Sequence, residues 1–110
     1  TKVLPSPEME EEIATKISIQ TIQRHVADYY DIRVSDIVGS KRPQNIAFPR
    51  QVAMYLSRDM TEESLPSIGE IFNRNHATIL HAYKAIETKV DKDPSFKMVV
   101  NQLRKQLQNG

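Results

Sequence analysis

A chain of 110 residues has room for one hydrophobic core, and not for a nucleotide-binding domain beside a second module. It has no cysteine, which excludes a disulfide framework and thiolate chemistry and fits a reducing cytosol. No apolar run reaches the length that spans a bilayer, and the acidic start at Glu8 to Glu12 is unlike a signal peptide, so a soluble protein is expected. The net charge of +1 does not point to nucleic acid by itself, but its placement does. Thr1 to Asp36 carries four Lys and Arg against seven Asp and Glu, Ile37 to Arg58 four against none, and Asp59 to Gly110 seven against seven. The basic charge is gathered in the middle, as a binding surface needs.

Thr1 to Pro7 holds two prolines and little to bury, and reads as a frayed end or linker. Glu8 to Ala14 has the composition of a short helix with acids at its N-terminus. Ser18 is placed to cap a helix running to about Tyr30, with Ile19, Ile22, Val26 and Tyr29 or Tyr30 as its apolar stripe. His25, within that helix, reads as a partly exposed surface histidine. Val34 to Val38 forms a helical turn presenting Ile37 and Val38 inward and ending at Gly39. The run Ser40-Lys41-Arg42-Pro43-Gln44-Asn45 is rich in turn formers and reads as a loop with two adjacent cations. Such an arm beside a DNA-reading unit tracks the backbone or places an arginine in the minor groove.

Pro49 suits the first turn of a helix to about Met60, with Val52, Ala53, Leu56 and Met60 inward and Arg50, Gln51 and Arg58 outward. Arg50 and Gln51 at that N-terminus are candidates for phosphate contact, and Arg58 is as much a surface charge as a contact. Thr61 and Ser64 cap the approach to the next helix, Pro66 fits its first turn, and Ser67 with Glu70 has capping-box spacing. Ile68, Ile71 and Phe72 repeat at helical intervals, as do Ile79, Tyr83, Ile86 and Val90. Between the two stripes lies Asn73-Arg74-Asn75, turn-prone, with Asn75 a good N-cap for a helix beginning at His76. Two helices joined so tightly form a helix-turn-helix, whose second helix enters the major groove by its N-terminal end. No acid occurs from Ile71 to Ile86, and Ala77, His81, Lys84 and Thr88 line the face away from the apolar stripe. Asp93-Pro94 opens a last helix to about Gln108, with Phe96, Val99, Val100, Leu103 and Leu107 on one side and Lys97, Arg104 and Lys105 on the other.

No catalytic constellation stands out. His76 and His81 are five apart, off the spacing that stacks two metal ligands on one helical face, and no Walker-type glycine loop or nucleophile elbow is present. No metal and no cofactor is expected in this domain.

The run FNRNHATILHAYKAIE, Phe72 to Glu87, resembles the signature of the DnaA family of bacterial replication initiators, which carries Arg-Asp-His-Thr-Thr-Val-Leu-His-Ala at this place. Arg74, His76, Thr78, Leu80, His81 and Ala82 match it. Asn75 stands for the family's Asp, Ala77 for its first Thr and Ile79 for its Val. The similarity extends through SLPSIGEIF and FPRQVAMYL to Ser40-Lys41-Arg42 and back to Ile17. It implies an all-α, compact domain of roughly six helices with a Trp-repressor-like helix-turn-helix over 18–110, and a linker or connecting helix over 1–17 from an ATPase domain that this chain lacks.

By resemblance, the domain binds double-stranded DNA at the repeated boxes of a replication origin. Arg42 reads the minor groove, with Lys41 beside it, and Asn75, His76 and Ala77 meet base edges in the major groove. An asparagine amide can pair with adenine N6 and N7, and the Ala77 methyl can pack on thymine. Leu65 and Pro66 offer apolar contact to a thymine methyl. Arg50, Gln51, Arg58, Arg74, Thr78, His81 and Lys84 meet phosphate. Gln44 and Phe48 stand where the family often has further basic residues. Helical phase turns His76 toward the core side, so its role requires that the first turn project beyond the packed region. The resemblance further implies a monomeric isolated domain, a full-length parent that binds ATP and self-assembles on the origin, and a bacterial cytoplasmic, nucleoid-associated location without membrane insertion. Two other readings remain open, a dimeric helix-turn-helix transcription regulator on a palindrome and a basic module that docks an acidic protein.

Overall fold

The computed structural model describes residues 17–40 and 44–109, and every regular element among them is helical. They are α1 (Ile19–Tyr29), α2 (Val34–Val38), α3 (Gln44–Met60), α4 (Leu65–Phe72), α5 (His76–Lys92) and α6 (Pro94–Asn109). The all-α expectation holds. The linker and helix expected within residues 1–16, and the basic pair Lys41 and Arg42, lie outside the described residues.

Local chemistry sets most helix starts. Ser18 Oγ accepts from Thr21 N at 3.1 Å, Ser64 Oγ from Ser67 N at 3.2 Å, and Asn75 Oδ1 from Thr78 N at 3.0 Å. Asp93 Oδ1 accepts from Ser95 N and Phe96 N at 3.0 and 3.2 Å, ahead of Pro94 in the first turn of α6. Each such bond satisfies an amide that the helix itself leaves unpaired, typically for about 1 kcal/mol. The capping box expected at Ser67 and Glu70 does not form. Ser64 caps α4 instead, and the Ser67 hydroxyl donates to Glu63 Oε2 at 2.7 Å.

The central helix is α3. Val52, Ala53, Met54, Tyr55, Leu56 and Ser57 are all buried, six consecutive residues. A helix covered on every side belongs in the middle of its domain, so the one-sided stripe expected here is too narrow. Ser57 is accommodated because its hydroxyl donates back to Ala53 O at 2.7 Å. Around α3 pack Ile19, Ile22 and Val26 of α1, Ile37 of α2, Ile68 and Phe72 of α4, Ile79, Ala82 and Ile86 of α5, and Phe96, Val100, Leu103 and Leu107 of α6.

Two further expectations are corrected. Helix α3 begins at Gln44, so Gln44 and Asn45 are helical and Pro49 lies inside the helix. The proline costs one bond, the one to the Asn45 carbonyl, close enough to the helix start to be tolerated. Phe48, which stands where the family often has a basic residue, packs with other rings: it lies 5.4 Å from Phe96 and 6.2 Å from Tyr30, with Lys89 Nζ over it at 5.7 Å. Arg104 is half-buried rather than outward. Its Nε donates to Asp59 Oδ2 at 2.7 Å and its Nη2 to Tyr55 Oη at 2.8 Å, tying α6 to α3.

Candidate nucleic-acid interface

The turn between α4 and α5 is built from backbone geometry first. Asn73 adopts the left-handed conformation at φ 56°, which asparagine tolerates better than most residues. Asn73 N then donates to Glu70 O at 3.2 Å and Arg74 N to Gly69 O at 2.8 Å, the paired bonds that close a helix in a Schellman motif. The turn folds back so closely that a Cβ on Gly69 would stand 2.4 Å from Arg74 O. Glycine is required there by proximity.

This turn delivers α5 with its first residues uncovered. Asn75, His76, Ala77 and Thr78 are all exposed, and Ile79 is the first residue of the helix to be buried. The conflict of phase at His76 is thus resolved as the sequence required: the first turn lies beyond the core that Ile79 enters. The first turn carries no acid, so the partial positive charge of the helix start is not offset locally.

Beside it runs a groove of about 400 Å³ between α3 and α5, lined by Ala47, Arg50, Gln51 and Met54 on one wall, Thr78, His81, Ala82 and Ala85 on the other, and Arg74. It contains two arginines and no carboxylate. The structure therefore brings together Gln51, Arg74, Thr78 and His81, four of the residues expected at phosphate, from α3, the turn and α5. Arg58 is exposed seven residues beyond Gln51, two helical turns along the same side of α3. Lys84 is exposed on α5, and Leu65 and Pro66 form the first turn of α4, half-buried and exposed respectively.

Arg50 is not where the sequence placed it. It is buried, with 7 % of its surface exposed. Its Nε donates to Ile37 O at 2.9 Å and its Nη2 to Asp36 O at 2.8 Å, so it ties the end of α2 to α3. Because α3 starts at Gln44, Arg50 lies in its second turn with no free helix terminus to offer phosphate. Burial, and then the neighbouring Arg74 charge, push its pKa below the usual arginine value. Arg74 is half-buried. Its Nη1 donates to Phe72 O and Asn73 O at 3.3 and 3.1 Å, and its Nη2 to Gly39 O.

Asn75 also differs in chemistry from its expected role. Its Oδ1 accepts from both Thr78 N and Thr78 Oγ1, at 3.0 and 3.3 Å. With the carbonyl oxygen committed to the cap, the side chain offers outward only the two donors of its amide nitrogen. The paired acceptor and donor that adenine N6 and N7 require are not both available in this arrangement. Thr78 is constrained in turn: its hydroxyl donates to Asn75, so a phosphate oxygen can be met only if that hydrogen turns outward.

Gly69 and the Arg50 and Arg74 carbonyl bonds were missed in the sequence. A glycine interrupting a short apolar helix is the one signal that marked the close approach. The arginine bonds span thirteen to thirty-five positions and leave no local trace. Among the described residues no group of three His, Cys, Asp or Glu is placed to hold a metal, and no helix is long and apolar enough to cross a membrane.

A helix start left bare by its own core, held against a second helix by a tight turn and flanked by a groove without acids, defines a helix-turn-helix domain. The family model for the bacterial DnaA protein helix-turn-helix matches residues 19–86, and the chain belongs to that family. Solved structures similar to it include two of replication initiation proteins. One is a crystal structure of a DNA replication initiation factor, 34% identical with a TM-score of 0.73, covering 93% of this chain and 30% of that one. The other is the replication initiator DnaA bound to AMPPCP and single-stranded DNA, 33% identical with a TM-score of 0.70, covering 90% of this chain and 29% of that one. The chain thus spans about three tenths of the length of the structures it matches. The resemblance read from Phe72 to Glu87 is borne out.

Proposed function

We propose that this domain binds duplex DNA sequence-specifically, at the short repeated boxes of a bacterial replication origin, and supplies the address for a longer initiator that binds ATP and assembles there in the cytoplasm. The observation that carries this reading is the exposure of His76 and Ala77 at the bare start of α5. His76 exchanges a hydrogen bond with a base edge, Ala77 packs on a thymine methyl, and Asn75 donates to an acceptor such as guanine O6 or N7. Leu65 and Pro66 lie against the neighbouring bases.

Gln51, Arg58, His81 and Lys84 meet phosphate, with Lys41 and the remaining donor capacity of Arg74, while Thr78 joins them by turning its hydroxyl. Arg50 has no part in this set. Arg42 enters the minor groove, where narrow A·T-rich stretches concentrate negative potential. Duplex is favoured over single-stranded DNA because the exposed start of α5 is the part of a helix-turn-helix that enters the major groove of a duplex. A gel-shift competition tests the reading with three competitors: origin-box duplex, scrambled duplex and the box as a single strand. Displacement by the box duplex at far lower concentration than by the other two is expected. Equal displacement by scrambled duplex would reject sequence reading, and preference for the single strand would reject duplex binding.

A further inference from the structure

The two buried or half-buried arginines beside the interface spend their donors on backbone, and the carbonyls they choose cluster at one place. Arg50, from α3, holds Asp36 O and Ile37 O. Arg74, from the turn before α5, holds Gly39 O while also holding Phe72 O and Asn73 O of its own turn. Three of the four carbonyls from Asp36 to Gly39, at the end of α2, are thereby fixed to two different parts of the DNA-reading unit. Gly39 stands three residues before Arg42 in the sequence, and α3 begins two residues after it.

The arrangement is costly to maintain. Burial and the Arg74 charge act against the Arg50 cation, offset in part by the Asp36 charge, and no carboxylate lines the groove these arginines share. Backbone carbonyls at a helix end lack intrahelical donors, and a guanidinium fork can satisfy several of them at fixed angles where a lysine ammonium offers a single point of attachment.

We propose that Arg74, seconded by Arg50, is a positioning residue for the minor-groove arginine: it locks the stem of the basic loop to the helix-turn-helix, so that both grooves are addressed in one register. This inference rests on the reading of Arg42 given above. In this role Arg74 acts through Gly39, and its contribution to minor-groove readout depends on the shape of its fork, whereas its phosphate contact depends on its charge. A plain phosphate contact would depend on charge, and lysine would serve there almost as well.

The test measures the affinity of the domain for the origin box flanked by A·T-rich or by G·C-rich duplex, the ratio of the two reporting minor-groove readout. Arg42→Ala should collapse that ratio by about tenfold, the order of one direct contact. Arg74→Lys should collapse it similarly though the charge is kept, and should add nothing further in the Arg42→Ala background. Arg50→Lys should move it in the same direction, and it serves as the second variant should Arg74→Lys melt below the assay temperature. If Arg42→Ala leaves the ratio unchanged, the minor-groove reading itself is wrong. If Arg42→Ala collapses it while Arg74→Lys, folded by circular dichroism, retains it, the positioning role is wrong.

Discussion

Gly69→Ala is the substitution in which general expectation and this structure disagree in sign. In the middle of a helix, glycine to alanine ordinarily stabilises by about 0.5–1 kcal/mol, because the glycine's extra freedom is lost from the unfolded chain. Here the new Cβ would lie 2.4 Å from Arg74 O and 3.3 Å from the Asn75 carbonyl carbon, the first a full ångström inside the 3.4 Å at which ordinary contact begins. Both obstacles are backbone, and both belong to the turn that presents α5. Relief requires the turn to retreat or α4 to shift against Ile68 and Phe72, which are fully buried. Such overpacking costs about 1–3 kcal/mol, so a net destabilisation of about 1–2 kcal/mol is expected after the propensity gain is subtracted. For a domain of this size that lowers Tm by roughly 4–8 °C for each kcal/mol, read by circular dichroism melts. Binding to box duplex should weaken even well below Tm, since the displaced residues include the cap of α5. A raised Tm with unchanged binding would refute the close-approach argument.

Other consequences are as direct. His76→Ala should cost about 1–3 kcal/mol of discrimination between box and scrambled duplex while non-specific binding persists, and a parallel loss of both would remove His76 from base reading. Asn75→Ala removes the acceptor for Thr78 N and should destabilise by about 1 kcal/mol in chemical denaturation, whereas a neutral result would mean the cap is dispensable. The Tyr30 phenol is pushed up to about 12 by burial and by Tyr29, and Tyr55 and Tyr83 are raised chiefly by burial. The folded state therefore keeps protons that the unfolded chain releases. Stability from these groups is complete below pH 10 and falls as pH rises toward 12. A two-unit shift is worth about 2.7 kcal/mol at full burial, which the half-open position of Tyr30 reduces to about 1 kcal/mol. A melt series in which Tm is flat across that window would contradict it. With phosphates neutralised by Lys41, Arg58, Arg74 and Lys84, about four in all, the slope of log K against log salt should be roughly −4, and a flat dependence would contradict the electrostatic footprint.

What the sequence reveals here follows the range of the interaction. Ser18, Asn75 and Asp93 act on amides two or three residues away, so their helix starts were legible, as were the apolar stripes of α1, α4, α5 and α6. Pro49 misled because a proline just inside a helix and one in its first turn look alike locally, whereas the helix runs from Gln44. Arg50 and Arg104 were read as solvent-facing because charge normally is. Their partners, Ile37 O and Asp36 O for the one and Asp59 and Tyr55 for the other, come from elements that periodicity does not place. At the interface, the exposed helix start was readable from the Asn75 cap and the position of Ile79. The commitment of the Asn75 oxygen to Thr78 was implicit in that same cap, and it narrows what the side chain can recognise.

The central claim is that the opening turn of α5 enters a DNA groove. Titrating isotope-labelled domain with origin-box duplex and following backbone amide shifts tests it directly. The account predicts the largest changes at Asn75 to Thr78, with further changes at Gln51 and His81 and little at Met98 or Asn101 on α6. Largest changes on α6, with Asn75 to Thr78 unmoved, would contradict it.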